Sequence, residues 1–322
     1  MGSGRKGPAD AGRGAQGGDP MSISNYNEDV LVCPQCLGSL SFSAAEVTCV
    51  LCCARYPVKA TGTLDLRLRE RKKVDVTIVI GGGDGPPRPE FGVMAARAEP
   101  EVRFDPSELP AHLPPVVASH IPRAPGPGSL CLDVGCGAGD YKRPLEKAGY
   151  RWVGFDYRHP RAPLWADAHA LPFAENSFDF VISLAVLEHI QHPGVMLREV
   201  RRVLKPGGVY LGSVTYLVPF HDSASYFNMT HHGVWSALAD AGLVAEFVRA
   251  DPVYLGIRAI AHAGLFSGLR RSVAYAIVEP VVWLHRLYWA YKRGRGSTTH
   301  RSDWQMLLNT GAFVYKAVKP MA

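Results

Sequence analysis

Residues 130–140 read Leu-Cys-Leu-Asp-Val-Gly-Cys-Gly-Ala-Gly-Asp, and the same stretch closes on Trp152-Val-Gly-Phe-Asp156. Its reading decides the fold. The apolar run Leu130 to Val134 predicts a strand, and Gly135, Gly137 and Gly139 a turn. Tyr141, Leu145 and Ala148 then lie at near-helical spacing before Gly149 stops the helix. Asp156 falls at the carboxyl end of the second strand. In open parallel sheets ligands bind beyond the carboxyl ends of the strands, where glycine admits close backbone approach and a helix amino terminus presents free N–H groups. A nucleoside ligand is the inference.

Downstream the rhythm continues, with Leu164 to Ala168 as a short strand carrying Asp167 and Phe178 to Ser183 as a buried one. Val195 to Leu204 reads as an amphipathic helix, Lys205-Pro-Gly-Gly208 as its stop, and Val209 to Val214 as a fifth strand. A helix near 233–241, a strand near 243–249 and a last strand over 312–318 complete the pattern. Alternating strands and helices predict an α/β, Rossmann-like doubly wound parallel sheet.

The third glycine separates two cofactors. A dinucleotide fingerprint, G-x-G-x-x-G, would place it at 140, which is Asp140; here it stands at Gly139. Asp-Val-Gly-Cys-Gly-Ala-Gly resembles the first motif of the class I S-adenosylmethionine-dependent methyltransferases. Gly154-Phe-Asp156, Ala166-Asp167-Ala168 before Leu171-Pro-Phe, Phe178 to Ser183, Leu187-Glu-His189 and Leu204-Lys-Pro-Gly-Gly208 resemble later blocks of that family, in order. The resemblance covers residues 129–250 and the last strand. It implies a pocket for S-adenosyl-L-methionine built from Asp133, Gly135, Cys136, Gly137, Gly139, Asp156, Tyr157, Asp167, Ala168 and Ser183. Asp156 would accept from the ribose hydroxyls and Asp167 from the adenine amino group. Each acid has a plainer alternative, Asp167 as a turn cap and Asp156 as a solvated strand end. Cys136 reads as a small buried turn residue rather than a nucleophile.

Toward the amino terminus, Cys33-Pro-Gln-Cys36 and Cys49-Val-Leu-Cys52 form two C-x2-C pairs twelve residues apart. That spacing predicts a structural Zn2+ site with Cys33, Cys36, Cys49 and Cys52 as ligands, in a small zinc ribbon. Cys53 is a competing fourth ligand, and spacing favours Cys52. The sparse apolar set around them cannot hold a unit of about 40 residues without a metal. Residues 1–28, glycine-rich at the start, are expected as a disordered tail, native or a leader before Met21. The ribbon is expected over 29–69. A linker and pre-domain segment follows over 70–128, with a candidate strand Val74 to Ile80, the run Gly81 to Pro89 and a short helix within 105–121. The methyltransferase-like domain is expected over 129–322, with a helical aromatic insertion at about 252–309. The glycine run lacks the Gly-Lys-Ser/Thr ending of a phosphate loop.

The chain has 322 residues, 47% apolar, with a formal charge of +6. That charge permits an acidic partner without demanding nucleic acid. Seven cysteines without a secretory signal fit metal binding in a reducing compartment, so a cytoplasmic location is expected. A sulfonium methyl is already activated, so a base is optional. His221 with Asp222, after the fifth strand, is the candidate base or substrate contact, with Tyr226, His231 and His232 in the same lid region. Residues 254–295, aromatic and basic, read as a lid over an apolar acceptor, a surface lying peripherally on an anionic membrane, or a packing face. Three functions remain open: O-methylation of a small-molecule or lipid-linked acceptor, methylation of RNA, and a non-catalytic zinc- and cofactor-binding scaffold. The RNA reading draws on a resemblance to the zinc-ribbon ribosomal-RNA guanine methyltransferases. Those ribbons typically end in a histidine ligand, and no Asn-Pro-Pro-Tyr-like motif follows Ser183.

Overall fold

The computed structural model of the protein describes residues 28–43, 45–78, 87–221, 224–294 and 309–321. The expected tail and most of the glycine run Gly81 to Pro89 lie outside them, as does Asp222. Strands β1 (Leu40–Phe42), β2 (Glu46–Cys49) and β3 (Arg55–Pro57) form a small antiparallel sheet. Val47 faces Tyr56 across β2 and β3, and both are fully buried beside Cys33 and Cys49.

A nine-stranded sheet carries the rest. Its strands are β4 (Leu64–Asp65), β5 (Glu90–Val93), β6 (Leu130–Val134), β7 (Arg151–Asp156), β8 (Leu164–Trp165), β9 (Phe178–Leu184), β10 (Leu204–Thr215), β11 (Val244–Ala250) and β12 (Ala312–Val318). The spatial order is β4-β8-β7-β6-β9-β10-β12-β11-β5. All neighbours run parallel except β12, which lies antiparallel between β10 and β11. From β6 the chain builds outward to β7 and β8 on one side and to β9 and β10 on the other. That reversal puts a crevice at the carboxyl end of β6.

Helices α1 (Pro115–Ala118), α2 (Lys142–Lys147), α3 (Pro193–Val203), α4 (His231–Asp240), α5 (Gly256–Ala259) and α6 (Arg271–Gly294) complete the chain. The two-residue period of β6 assigns the faces. Leu130, Leu132 and Val134 join Met196, Leu197 and Val200 of α3 and Leu238 of α4, whereas Cys131 packs with Val117 of α1 and Leu145 of α2. The sheet is therefore doubly wound. No helix among the described residues is long and apolar enough to cross a membrane.

Three local expectations differ. Residues 71–78 form no strand; Val74, Val76 and Ile78 are exposed and pair with no strand among the described residues. Instead Glu90–Val93, inside the expected linker, pairs in parallel with β11 and covers that edge. The Lys205-Pro-Gly-Gly208 turn is absorbed into β10 as an irregularity, since Leu204 pairs with Phe178 and the next register pair is Val209 with Phe180.

The cysteine-bearing segment is also tied into the large sheet. Val32 donates its N–H to the Pro172 carbonyl, Ala174 donates to that of Val30, and β4 closes the far edge on β8. Asp65 of β4 is fully buried and meets Arg67 in a two-pronged contact, Nε to Oδ1 and Nη2 to Oδ2, both 2.8 Å. Burial alone would raise the Asp65 pKa, but the Arg67 and Arg69 cations prevail and hold it at about 2. A folded pKa below the unfolded value means the stabilisation is complete above about pH 4 and is lost as pH falls toward 2. Asp65→Asn is expected to cost about 2 kcal/mol at neutral pH and to flatten acid denaturation between pH 4 and 2, read by urea titration at each pH.

Candidate active site

At the crevice the chain must turn from β6 into α2 while passing close to β7 and β9. Gly135 and Gly137 both take left-handed backbone angles, φ +70° and +55°. Their surroundings differ. A methyl on Gly135 would lie 2.6 Å from Val186 Cγ2, which follows β9, whereas a methyl on Gly137 would meet nothing within 4 Å. Gly135 is needed for packing, and Gly137 borders open space where a ligand can approach the backbone.

Asp133 lies beneath this turn, fully buried, one oxygen accepting the Trp152 indole N–H at 3.1 Å. Its Oδ1 has no hydrogen-bond partner among the described residues. Burial, reinforced by the nearby Asp140 and Asp156 charges against the indole hydrogen bond, lifts its pKa to about 7. A cationic group over the turn would satisfy the free oxygen and hold the acid ionised. Cys136 donates its backbone N–H to Phe155 and is buried, which drives its thiol pKa far up. It is no nucleophile.

Asp156 ends β7 with Oδ2 accepting the Gly137 N–H at 3.2 Å and Oδ1 accepting those of Arg158 and His159. It braces the turn, with one lone pair of Oδ2 left to spare. Asp167 takes the cap role as well, since its Oδ1 accepts from the His169 backbone and from His169 Nδ1 at 2.7 Å. Burial would raise its pKa; the His169 contacts bring it below the usual carboxylate range. His169 Nε2 in turn accepts the His192 N–H, so the loop after β8 is fastened to the start of α3. Ala168 is buried beside it, and Tyr157 is exposed with Arg67 over its ring. Ser183 is buried within β9 opposite Gly212, behind the strand end rather than at it.

The third wall comes from the segments after β9 and β10. Glu188 is fully buried, and His221 Nε2 stands 3.9 Å from its Oε1. His221 Nδ1 donates to the Pro219 carbonyl, His189 Nδ1 pairs with the Ala224 carbonyl, and the two rings meet edge to face at 5.0 Å. The structure thus joins His221 to Glu188 and His189. Tyr226 donates its N–H to the Glu188 carbonyl, but His231 and His232 stack on Phe91 of β5. Two residues escaped the sequence reading. Trp152 holds Asp133 and fills the space beside Gly139 and Gly154, and its pairing with a buried acid nineteen positions away leaves no local signal. Glu188 belongs to the Leu187-Glu-His189 block, but nothing local in the sequence marks its carboxylate as fully buried.

In the amino-terminal segment, Cys33, Cys36, Cys49 and Cys52 offer sulfurs all within 4.8 Å of one another, with Cys33–Cys52 at 3.6 Å and Cys36–Cys49 at 3.5 Å. Tetrahedral thiolates around zinc lie about 3.8 Å apart. Cys53 is exposed and outside the cluster. Burial opposes ionisation of Cys49, but backbone N–H groups of Cys52 and Leu51 draw its pKa to about 7. For Cys52 an Ala54 backbone hydrogen bond lowers the pKa, yet burial and the other thiols carry it to about 12. Four sulfurs this close cannot all ionise without a cation among them.

Residues 132–212, from β6 through β10, match the family described as a methyltransferase domain. Residues 132–212 therefore carry a methyltransferase domain. An uncharacterized methyltransferase of Mycobacterium leprae (strain Br4923) is 33% identical over 140 residues, covering 39% of this chain and 49% of its own. A demethylmenaquinone methyltransferase of Renibacterium salmoninarum is 40% identical over 93 residues, covering 26% and 39%. The chain spans about half the length of the mycobacterial relatives it matches. A solved complex between the Haloferax volcanii Trm112 methyltransferase activator and the putative methyltransferase aligns at 23% identity and a TM-score of 0.43, over 63% of this chain and 87% of that one.

Within the methyltransferase domain the two glycines should respond differently to a methyl group. Gly135→Ala adds a clash with Val186 to left-handed strain and is expected to cost about 3 kcal/mol. Gly137→Ala carries the strain alone, about 1 kcal/mol. Equal losses in thermal unfolding would contradict the packing role of Gly135.

Proposed function

We propose that the protein transfers the methyl of S-adenosylmethionine to a hydroxyl of a small-molecule or lipid-linked acceptor. The observation that carries the reading is the pairing of an open cradle at Gly137 with a buried acid, Asp133, that lacks one hydrogen bond. When bound, the cofactor supplies an electrophilic methyl on a sulfonium. Asp133 and the turn from Gly135 to Gly139, with Cys136 among them, receive its amino-acid end. Asp156 and Tyr157 flank the ribose, and Asp167 and Ala168 the base. Ser183 backs the cradle. His221 contacts the acceptor hydroxyl. Asp222, its proposed companion, lies outside the described residues.

An apolar or lipid-linked acceptor is supported by α6. Val273, Ile277, Val281, Leu284, Tyr288 and Tyr291 are exposed at three- and four-residue spacing along one side. Arg258 on α5 holds Glu279 of α6 at 2.6 Å, fixing the two helices together. A stripe of this kind, on a stretch of chain that also carries Arg258, Arg270, Arg271 and Arg286, suits a lid over an apolar substrate or contact with an anionic lipid surface. The domain limits expected from sequence serve as a proposal in the same sense, with 29–69 as a ribbon closed by structural zinc.

The deciding experiment offers methyl-labelled cofactor and the protein to separated lipid, small-molecule and RNA pools. Label is expected in the lipid or small-molecule pool; label in RNA alone would overturn the acceptor assignment. Asp133 predicts a pH signature. Its ionised form favours a bound ammonium, so affinity for S-adenosylhomocysteine is expected to fall by up to about tenfold from pH 7 to pH 6, and Asp133→Asn to bind weakly without that slope. Calorimetry at both pH values reads this. For the ribbon, zinc removal or Cys49→Ser is expected to lower the unfolding temperature by several degrees, with about one equivalent of zinc per chain lost by elemental analysis.

A further inference from the structure

Glu188, His189 and His221 offer ligand atoms that all lie within 4.8 Å of one another. Their placement follows from the fold. Leu187–His189 forms a single tight turn directly after β9, and His221 follows the end of β10, so the three converge between the carboxyl ends of two adjacent strands. Val186, which abuts Gly135, begins the same turn. The cluster therefore stands beside the glycine cradle on the side where an acceptor would enter.

The chemistry of the three groups is that of a cation site. His221 Nδ1 and His189 Nδ1 are each engaged by a backbone carbonyl, Pro219 and Ala224 respectively. A carbonyl on one ring nitrogen fixes the tautomer and orients the other as a metal ligand, the arrangement found behind most metal-bound imidazoles. Glu188 adds a carboxylate with no solvent exposure, its Oε1 3.9 Å from His221 Nε2. One carboxylate and two imidazoles gathered this closely form a ligand set of the kind first-row divalent cations take.

We propose that Glu188, His189 and His221 bind one first-row divalent cation, a site separate from the four cysteines. Two imidazoles and a carboxylate on one side of an ion leave coordination positions open. Ligands at about 2.1 Å from a shared ion and at right angles lie about 3 Å apart, so the side chains close inward on binding. An acceptor hydroxyl in an open position would be oriented and made easier to deprotonate. That role rests on the methyl-transfer reading, whereas cation binding does not. It also redefines His221, whose Nε2 cannot hold a cation and accept a proton at once.

The test starts from protein carrying one zinc per chain in the cysteine site and titrates it with Co2+, followed by absorbance and calorimetry. One further equivalent is expected, with ligand-field bands and without the intense thiolate charge-transfer absorption that replacement at the cysteines would give. Glu188→Gln and His221→Asn are each expected to weaken it about tenfold or more. S-adenosylhomocysteine affinity, measured on the same samples, should be retained. His221→Asn, at a partly exposed position, carries the test if Glu188→Gln fails to fold. No second equivalent, thiolate bands only, or unchanged affinity in both variants would overturn the site. Co2+ binding with no S-adenosylhomocysteine binding would leave the cation site standing and remove the methyl-transfer reading instead.

Discussion

Close approach of the backbone at the end of β6 is the constraint on which the rest of the domain depends. The turn has to clear Val186 on one side and the Trp152 indole on the other; a methyl on Gly135 would lie 2.6 Å from Val186, and one on Gly139 would crowd the indole at 3.3 Å. Trp152 also packs against Gly154 and donates to Asp133. One side chain thus touches both Gly139 and Gly154 and holds the buried acid. The same contact explains why Asp133 is not a solvated carboxylate. It is held in a dry place by an indole that satisfies only one of its oxygens, and its ionisation is left to whatever occupies the crevice.

Much of this was legible because it is local. The glycine spacing, the acids at strand ends and the alternation of strand and helix all sit within windows of about ten residues, and the elements at 130–134, 193–203 and 312–318 follow the pattern. What stayed hidden is long-range. Nothing near Glu90–Val93 announces a strand, because its partner Phe247–Ala250 lies far along the chain and supplies the reason for pairing. Conversely Val74, Val76 and Ile78 have the alternation of a strand and no partner. Alternation states a preference, and a free sheet edge decides it. The candidate site divides in the same way. Asp133, Asp156 and Asp167 were named through the motif blocks in which they stand. Trp152 and Glu188 were not, since their value comes from what they touch. Asp167 also shows that a plain role and a functional one can coexist, because its Oδ1 serves the turn while Oδ2 takes no part in those contacts.

The cysteine-bearing segment is less separate than a ribbon-plus-domain arrangement suggests. β4 pairs with β8, and Arg67, clamped by Asp65, lies 4.8 Å over the Trp165 ring and 5.5 Å over that of Tyr157. Trp165 and Tyr157 belong to or adjoin the strand ends that carry Asp156 and lead to Asp167. A buried ion pair is weak testimony for net stability, yet it is costly to break once formed, so it fixes geometry. The edge of the cysteine-bearing segment therefore lies beside the strand ends that carry Asp156 and lead to Asp167.

Two metal chemistries on one chain raise the question of how ions would be kept apart. Four thiolates form a soft, closed set that suits zinc and leaves no position for substrate. Two imidazoles with a carboxylate form a harder, open set that suits a cation able to exchange an outer ligand. The first set lies in a small sheet whose buried Val47 and Tyr56 share one apolar core with the large sheet, so an ion there would brace a segment that is also held by packing. The second lies between strands of a large sheet that is packed without it, so its ion can come and go. Sorting would then follow from softness and from exchange: the thiolate set would hold a soft ion such as zinc tightly, while the proposed open set would equilibrate with the divalent cations around it.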